Sequence, residues 1–107
     1  MHNAAEITSA MDIISLIPPR EAIWNGRAII YRPGRLSVCL GRGTAHRTAY
    51  NLLVQVGCQI EYSSFNDGLF EVLVPPNETL RLAVELGKSD LFRYVEPDII
   101  EGDARHH

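Results

Sequence analysis

Apolar and polar residues alternate strictly in the part of the chain after residue 34. Leu36, Val38 and Leu40 are separated by polar or small neighbours over residues 35–40, which is the two-residue period of a half-buried strand. Further strand-like segments follow at residues 58–65, 69–74 and 91–95. We therefore predict four strands in this part of the chain.

Two stretches with helical spacing separate these strands. Apolar residues recur every three or four positions over residues 45–56 and again over 77–86, and a glycine follows each stretch, as is common after a helix. Asn66-Asp67-Gly68 predicts a hairpin, because Asp-Gly supplies the positive φ of a tight turn. The order β-α-β-β-α-β predicts an α+β, ferredoxin-like fold, in which two helices cover one face of a four-stranded antiparallel sheet and the other face stays open.

The first third of the chain is predicted to be an extension of this domain. Apolar residues at helical spacing predict a helix over residues 3–17, which Pro18-Pro19 would end. A connector then leads to an edge strand at residues 28–31, and Arg32-Pro33-Gly34 is expected to break the chain. The predicted division is an extension at 1–32, the domain at 33–101 and a tail at 102–107.

The composition and charge of the chain exclude several classes of protein and of binding partner. The chain has 107 residues, 46% of them hydrophobic, and a net charge of −3 without any run of one sign, so we expect one domain that binds no nucleic acid. No segment reaches the roughly 20 apolar residues of a membrane span, and the first residues lack the features of a secretory signal. We therefore expect no membrane association and a cytoplasmic location, with Cys39 and Cys58 as buried thiols rather than a disulfide.

The uncovered sheet face is the predicted binding surface. On the last strand, Phe92, Tyr94 and Glu96 would share one side if the alternation is regular. Depending on the register, the same face also receives Cys39, Leu69 and Leu73. An apolar face rimmed by charge is typical of an interaction site. The alternative is that the amino-terminal helix folds back and covers this face.

The heptapeptide Phe92-Arg93-Tyr94-Val95-Glu96-Pro97-Asp98 resembles the Y-V-E-x-D close of subtilisin propeptides, the subtilisin-propeptide inhibitor family. Other features follow in that family's order: a strand after a Pro-Gly turn, a glycine-containing turn into the first helix, and the Asp67-Gly68 hairpin. The resemblance covers about residues 32–100. It implies an intramolecular chaperone and inhibitor whose partner is a subtilisin-like serine protease catalytic domain, in the same precursor or in a separate chain.

The resemblance also implies roles for particular residues. Glu96 and Asp98 would accept hydrogen bonds from the amino-terminal amides of two parallel helices of the protease. Residues 99–107 would leave the domain as an extended tail and enter the substrate cleft. That tail ends in Ala104, Arg105, His106 and His107. It is longer than in short bacterial propeptides, and the extension before Arg32 has no counterpart in the family.

Other functions on the same fold are alternatives. We expect no catalytic activity, because the chain carries none of the sequence signatures of a serine protease nucleophile or base, and we expect no cofactor or metal. A regulatory module is the main alternative: it would bind a small anion at residues 41–44, where backbone amides precede a helix, or would dimerise through its open sheet. A third function, acylphosphatase-like catalysis, would depend on Arg42 and Asn51.

Overall fold

A computed structural model describes residues 16–102 of the chain. Within that range it contains an antiparallel sheet of five strands and two α-helices. In chain order the elements are β1 (Arg20–Trp24), β2 (Arg27–Leu40), α1 (His46–Gln55), β3 (Gln59–Ser64), β4 (Leu69–Leu73), a 3-10 turn (Pro76–Glu78), α2 (Thr79–Gly87) and β5 (Phe92–Glu101). The predicted α+β class is confirmed, but the prediction of four strands is wrong. The helix predicted at residues 3–17 lies outside the described residues, except for Leu16 and Ile17, which form a turn and a bend.

The central strand of the sheet is β2, which pairs with three others. Its first residues pair with β1 and its last residues with β4, while β5 runs antiparallel to most of its length. Among residues 16–102, strand β3 pairs only with β4 and forms an outer edge. Paired strands therefore flank β2 on both edges, and its side chains Ile29, Tyr31, Leu36 and Val38 lie in the core.

The strand that the sequence analysis missed is β1. Asn25 and Gly26, treated there as part of a connector, form the turn between β1 and β2, with φ values of 52° and 79°. Positive φ at both central residues is the geometry of a type I′ hairpin, for which Asn-Gly is the favoured pair. The signal for β1 was therefore present in the sequence.

The break predicted at Arg32-Pro33-Gly34 is also wrong, because β2 continues through these residues as a bulge. Arg32 pairs with Asp98 and Leu36 with Pro97, so the residues between them have no partner on β5. The start of α2 holds the bulge in place: the Gly34 amide donates to Thr79 Oγ1 at 2.7 Å, and that hydroxyl donates to the Pro76 carbonyl at 2.7 Å. A buried side chain thus supplies the hydrogen bond that the strand ladder lacks.

A single core lies between the sheet and the two helices. It includes fully buried Val38 and Phe70 from the sheet and Leu53 from α1, and it extends without interruption to Trp24 of the β1–β2 hairpin. The boundary predicted between residues 32 and 33 therefore falls inside both a strand and a core. Neither helix within residues 16–102 is long and apolar enough to cross a membrane.

Strand β5 extends beyond its predicted end at residue 95 and continues to Glu101. Ile99 pairs with Tyr31, Glu101 pairs with Ile30, and the Ile99 side chain is buried in the core. The expectation that the tail leaves the domain directly after Asp98 is therefore wrong for residues 99–101. The cause is the strand predicted at residues 28–31: it was assigned to the extension, but it forms part of β2 and pairs with these residues.

Candidate functional site

The sheet face opposite the helices carries the candidate site, and we call it the open face. The pairing registers of β2–β5 place both polar and apolar residues there. They include Arg32, Arg35, Ser37, Cys39, Gln59, Tyr62, Ser64, Leu69, Glu71, Leu73, Tyr94, Glu96 and Asp98. Both helices contribute their buried side chains to the opposite face. Among residues 16–102, therefore, neither helix covers the open face.

A bulge in β5 decides which of the predicted residues reach the open face. Leu40 pairs with Phe92 but Cys39 pairs with Tyr94, so one extra residue, Arg93, lies on β5 between the two pairs. The extra residue moves Phe92 to the core side, where it is buried. The prediction that Phe92 shares the side of Tyr94 and Glu96 is therefore wrong, because it assumed regular alternation through Arg93.

Ser37 and Glu71 occupy the middle of the open face on neighbouring strands. The Ser37 hydroxyl lies within hydrogen-bond distance of both carboxylate oxygens of Glu71, at 3.0 and 2.9 Å. Burial raises the pKa of Glu71, and repulsion from Asp98 adds to the increase; the Ser37 hydrogen bond and the charge of Arg35 act in the opposite direction. The centre of the open face is thus a partly dehydrated carboxyl group.

The β5 side of the open face forms a shallow depression of about 250 Å³, lined in part by Ser37, Glu71, Tyr94, Glu96 and Asp98. Asp98 forms an exposed ion pair with Arg32, with 3.6 Å between the carboxylate oxygen and Nε. Burial raises the pKa of the Tyr94 phenol, which nearby Cys39 and Glu96 raise further. Tyr94 therefore presents a neutral phenol beside acidic groups.

The open face is rich in charged groups. It presents three carboxyl groups, Glu71, Glu96 and Asp98, together with the guanidinium groups of Arg32 and Arg35. In the part of the chain that the structure describes, no group of three His, Cys, Asp or Glu residues could hold a metal ion. What this face can do is accept hydrogen bonds from a partner with exposed donors or positive charge.

The loop at residues 41–44 is the alternative anion site. Some of its backbone amides already donate hydrogen bonds to carbonyl groups of the protein. The Gly41 amide donates to the Leu91 carbonyl at 2.8 Å, and the Thr44 amide donates to the Gly41 carbonyl at 3.1 Å. Two of the four amides that could hold an anion are therefore occupied. Arg42 and Asn51, required for acylphosphatase-like catalysis, are both exposed to solvent.

Tyr94, Glu96 and Asp98 are the residues from the predicted site that the structure brings together. Ala104, Arg105, His106 and His107 lie outside the described residues. Sequence reasoning did not single out Ser37 or Glu71, although both are polar positions between core residues of a strand, a pattern that places them on the open face.

Comparisons with protein-family models, with curated proteins and with solved structures find no match to this chain. The functional assignment therefore depends on the geometry of the open face and on the resemblance of residues 92–98.

Proposed function

We propose that this domain is a propeptide-type inhibitor and folding chaperone of a subtilisin-like serine protease, and that the open face docks on the catalytic domain. The single observation that carries the proposal is the row formed by Tyr94, Glu96 and Asp98 on an uncovered sheet face. These residues belong to the segment that resembles the close of subtilisin propeptides.

The topology of residues 35–101 supports the proposal. Without β1, the strand order across the sheet is β5-β2-β4-β3. Numbered from the second half of β2, this is the order 4-1-3-2 of a ferredoxin-like sheet, with both helices packed on one side. Strand β1 and the first half of β2 would then be additions at one end of that fold.

The spacing of the two β5 carboxylates suits a pair of helix starts. Glu96 and Asp98 are two residues apart on one side of a strand, so their Cα atoms are separated by about 7 Å. Helices that pack side by side have axes about 8–10 Å apart, a difference that flexible side chains can span. Each carboxylate could then accept hydrogen bonds from the free amides of one helix and interact favourably with its dipole.

Dimerisation through the open face is the alternative to docking on a protease. The face carries charged groups of both signs: Glu71, Glu96 and Asp98 lie on it with Arg35, and Asp98 forms an ion pair with Arg32. Two copies could therefore pair opposite charges across this face, and the charge alone does not separate the two functions.

The proposal is tested by the double variant Glu96→Ala with Asp98→Ala, titrated by calorimetry against a subtilisin-type catalytic domain. Each lost helix contact should cost about 0.5–2 kcal/mol, so we expect affinity to fall about tenfold or more with little change in thermal unfolding. The matched control is Glu78→Ala with Glu85→Ala, which removes the same charge from α2 and its preceding turn. Equal affinity of the two double variants would contradict helix capping by β5.

The tail is a second, separable part of the proposed mechanism. Since β5 ends at Glu101, a segment that enters the substrate cleft would start after that residue. Deleting residues 103–107 should preserve docking but abolish most inhibition of small peptide substrates, because the deleted residues would occupy the cleft. Inhibition that remains complete after this deletion would show that docking of the body alone blocks the enzyme.

A further inference from the structure

A cavity of about 240 Å³ lies at the start of α1. It is lined by His46, Arg47 and Tyr50 of α1 and by Phe65 of the turn between β3 and β4. None of these four residues belongs to the open face. Since α1 packs on the covered face of the sheet, this cavity is separate from the surface proposed to dock on a protease.

The aromatic rings of the cavity are held in place by packing. The rings of Phe65 and His46 stack with their centroids 3.9 Å apart and 23° between their planes. The His46 ring also contacts Phe70 of the core, at 4.6 Å. His46 therefore links the surface ring of Phe65 to the core, and the wall of the cavity is formed before any ligand binds.

The rings that line the cavity remain accessible to a ligand. Phe65 is 79% exposed and Tyr50 is 42% exposed. Exposed aromatic faces at a concave site are favourable contacts for another ring, by stacking or by edge-to-face packing. A closed cavity of about 150 Å³ can hold benzene, so the size of this one suits a single ring with a short polar group.

The charge of the cavity is positive. Arg47 is the one charged side chain among the described residues that line it, and Arg47 forms no ion pair with any other residue of 16–102. The first turn of α1 has no acidic residue, and Ala45 supplies no side-chain cap. The positive end of the helix dipole thus lies at the same end of α1 as the Arg47 guanidinium, and both favour an anion.

We propose that this cavity binds a small aromatic carboxylate. The ring of the ligand lies against Phe65 and Tyr50, and its carboxylate accepts hydrogen bonds from the Arg47 guanidinium. A free aromatic acid and the carboxyl-terminal aromatic residue of a peptide share this chemistry. The inference is independent of the proposed protease partner, and it differs from anion binding by backbone amides at residues 41–44 because side chains recognise the ligand.

The test is an NMR titration of the full-length chain with N-acetylphenylalanine, compared with its uncharged amide. We expect saturable shifts of the Phe65 and Tyr50 ring signals, with a dissociation constant on the order of 1 mM or lower for the acid. The amide should bind about fivefold more weakly, because it lacks the charge that pairs with Arg47. N-acetylcyclohexylalanine, which keeps the carboxylate but has no aromatic ring, should also bind about fivefold more weakly.

Three results of the titration would overturn the proposal. The first is the absence of saturable shifts up to about 10 mM acid, which is well above the expected dissociation constant. The second is equal affinity for the acid and for either of its two analogues. The third is a set of shifts centred on Leu69 and Tyr94, because those residues lie on the open face.

Matched substitutions assign the two parts of the ligand to their partners. Arg47→Gln should remove the preference for the acid over the amide, whereas Arg42→Gln, which removes the same charge from the preceding loop, should preserve it. Phe65→Ala should weaken both probes about fivefold, whereas Tyr62→Ala should leave both unchanged. All four side chains are exposed, so the variants should keep the parent fold in thermal unfolding. Equal effects within either pair would contradict this site.

A comparison with 3-phenylpropanoate distinguishes the two sources of the ligand. This acid has the ring and the carboxylate of N-acetylphenylalanine but lacks the amide that represents a peptide chain. Tighter binding of 3-phenylpropanoate would support the site with a free acid as its ligand. Tighter binding of N-acetylphenylalanine would support it with the carboxyl terminus of a peptide. Binding of neither acid would overturn the proposal, and it would leave the proposed docking on a protease unaffected.

Discussion

The same strands build two faces with opposite properties. On the covered face, Val38 and Phe70 are fully buried against the helices. On the open face, their immediate neighbours Ser37 and Glu71 form a hydrogen bond in a partly dehydrated environment. Since neighbouring residues of a strand point to opposite sides, one short sequence contributes both to the core and to the proposed docking surface.

The difference leads us to expect that stability and the proposed docking are separable in this domain. Covered-face side chains gain free energy by leaving water, whereas on the open face the Glu71 carboxyl group is partly dehydrated, and this raises its pKa. Substitutions on the covered face should therefore change unfolding, and those on the open face should change binding.

The largest expected effect comes from truncating a core side chain. Phe70→Ala should lower the free energy of unfolding by about 3–5 kcal/mol, because it leaves a cavity beneath α1, where the Phe70 ring contacts His46 and Tyr50. Phe65→Ala is the matched control: Phe65 is 79% exposed and contacts His46 by stacking at 3.9 Å, so the loss should stay below about 1.5 kcal/mol. Urea denaturation measures the free energy of unfolding of both variants. Similar losses in the two variants would contradict the distinction between covered and exposed aromatic residues.

A smaller loss is expected from the hydroxyl that holds the bulge in β2. Thr79→Val keeps the side-chain shape but leaves the buried Gly34 amide without its acceptor, at a cost of about 1–3 kcal/mol. Thr48→Val, on the exposed side of α1, should stay within about 0.5 kcal/mol of the parent. Thermal unfolding provides the comparison, and hydrogen exchange should accelerate at Gly34 in the first variant alone. Unchanged exchange at Gly34 would argue against this role for Thr79.

The position at which the chain leaves β5 can be tested by glycine substitutions and thermal unfolding. Gly102 has a φ of 117°, and a Cβ there would lie 2.8 Å from Ile29 Cγ2. Gly102→Ala should therefore cost about 1–3 kcal/mol through backbone strain. Gly87→Ala in α2 should instead stabilise the domain by about 0.5–1 kcal/mol. If Gly102→Ala were neutral in thermal unfolding, the chain would leave the sheet earlier than residue 102.

The smallest effect concerns Glu71 and its dependence on pH. Its pKa is raised above the ordinary value of 4.5, so its contribution to stability is fully present below pH 4.5 and is lost as pH rises through the folded-state pKa. Glu71→Gln should therefore gain in melting temperature relative to the parent between pH 4 and pH 7.

Glu85→Gln provides a control of opposite sign for that prediction. The hydrogen bond from Lys88 lowers the pKa of Glu85, so its contribution is present above the unfolded-state pKa and is lost as pH falls. The melting temperature of Glu85→Gln should fall relative to the parent over the same range of pH. Parallel pH profiles for the two variants would contradict the opposite environments of these carboxyl groups.

Much of the fold between residues 35 and 95 could be predicted, because each element there has a local signal. Alternation marks the strands, Asp67-Gly68 marks the β3–β4 hairpin, and apolar stripes mark both helices. The order of elements followed from these signals alone. The α+β class could be stated before any contact was known.

The missed strand β1 had a local signal in Asn25-Gly26, but two other errors arose where a distant residue overrides a local signal. Pro33-Gly34 is typical of a break, yet Thr79, forty-five positions later, supplies the hydrogen bond that lets the strand continue. The bulge at Arg93 similarly depends on pairing with β2, so the position of Phe92 could not be predicted from alternation. The open face was predictable as a surface, but its central pair, Ser37 and Glu71, required the register between β2 and β4.

The most direct test of docking through the open face is methyl NMR of the full-length chain during titration with a subtilisin-type catalytic domain whose catalytic serine is replaced by alanine. Leu69 lies on the open face, whereas Leu52 packs against the core from α1. We predict that the Leu69 methyl signals shift or broaden and saturate at one equivalent, while those of Leu52 do not move. Unchanged Leu69 signals at saturating catalytic domain, or changes confined to Leu52, would contradict docking through the open face.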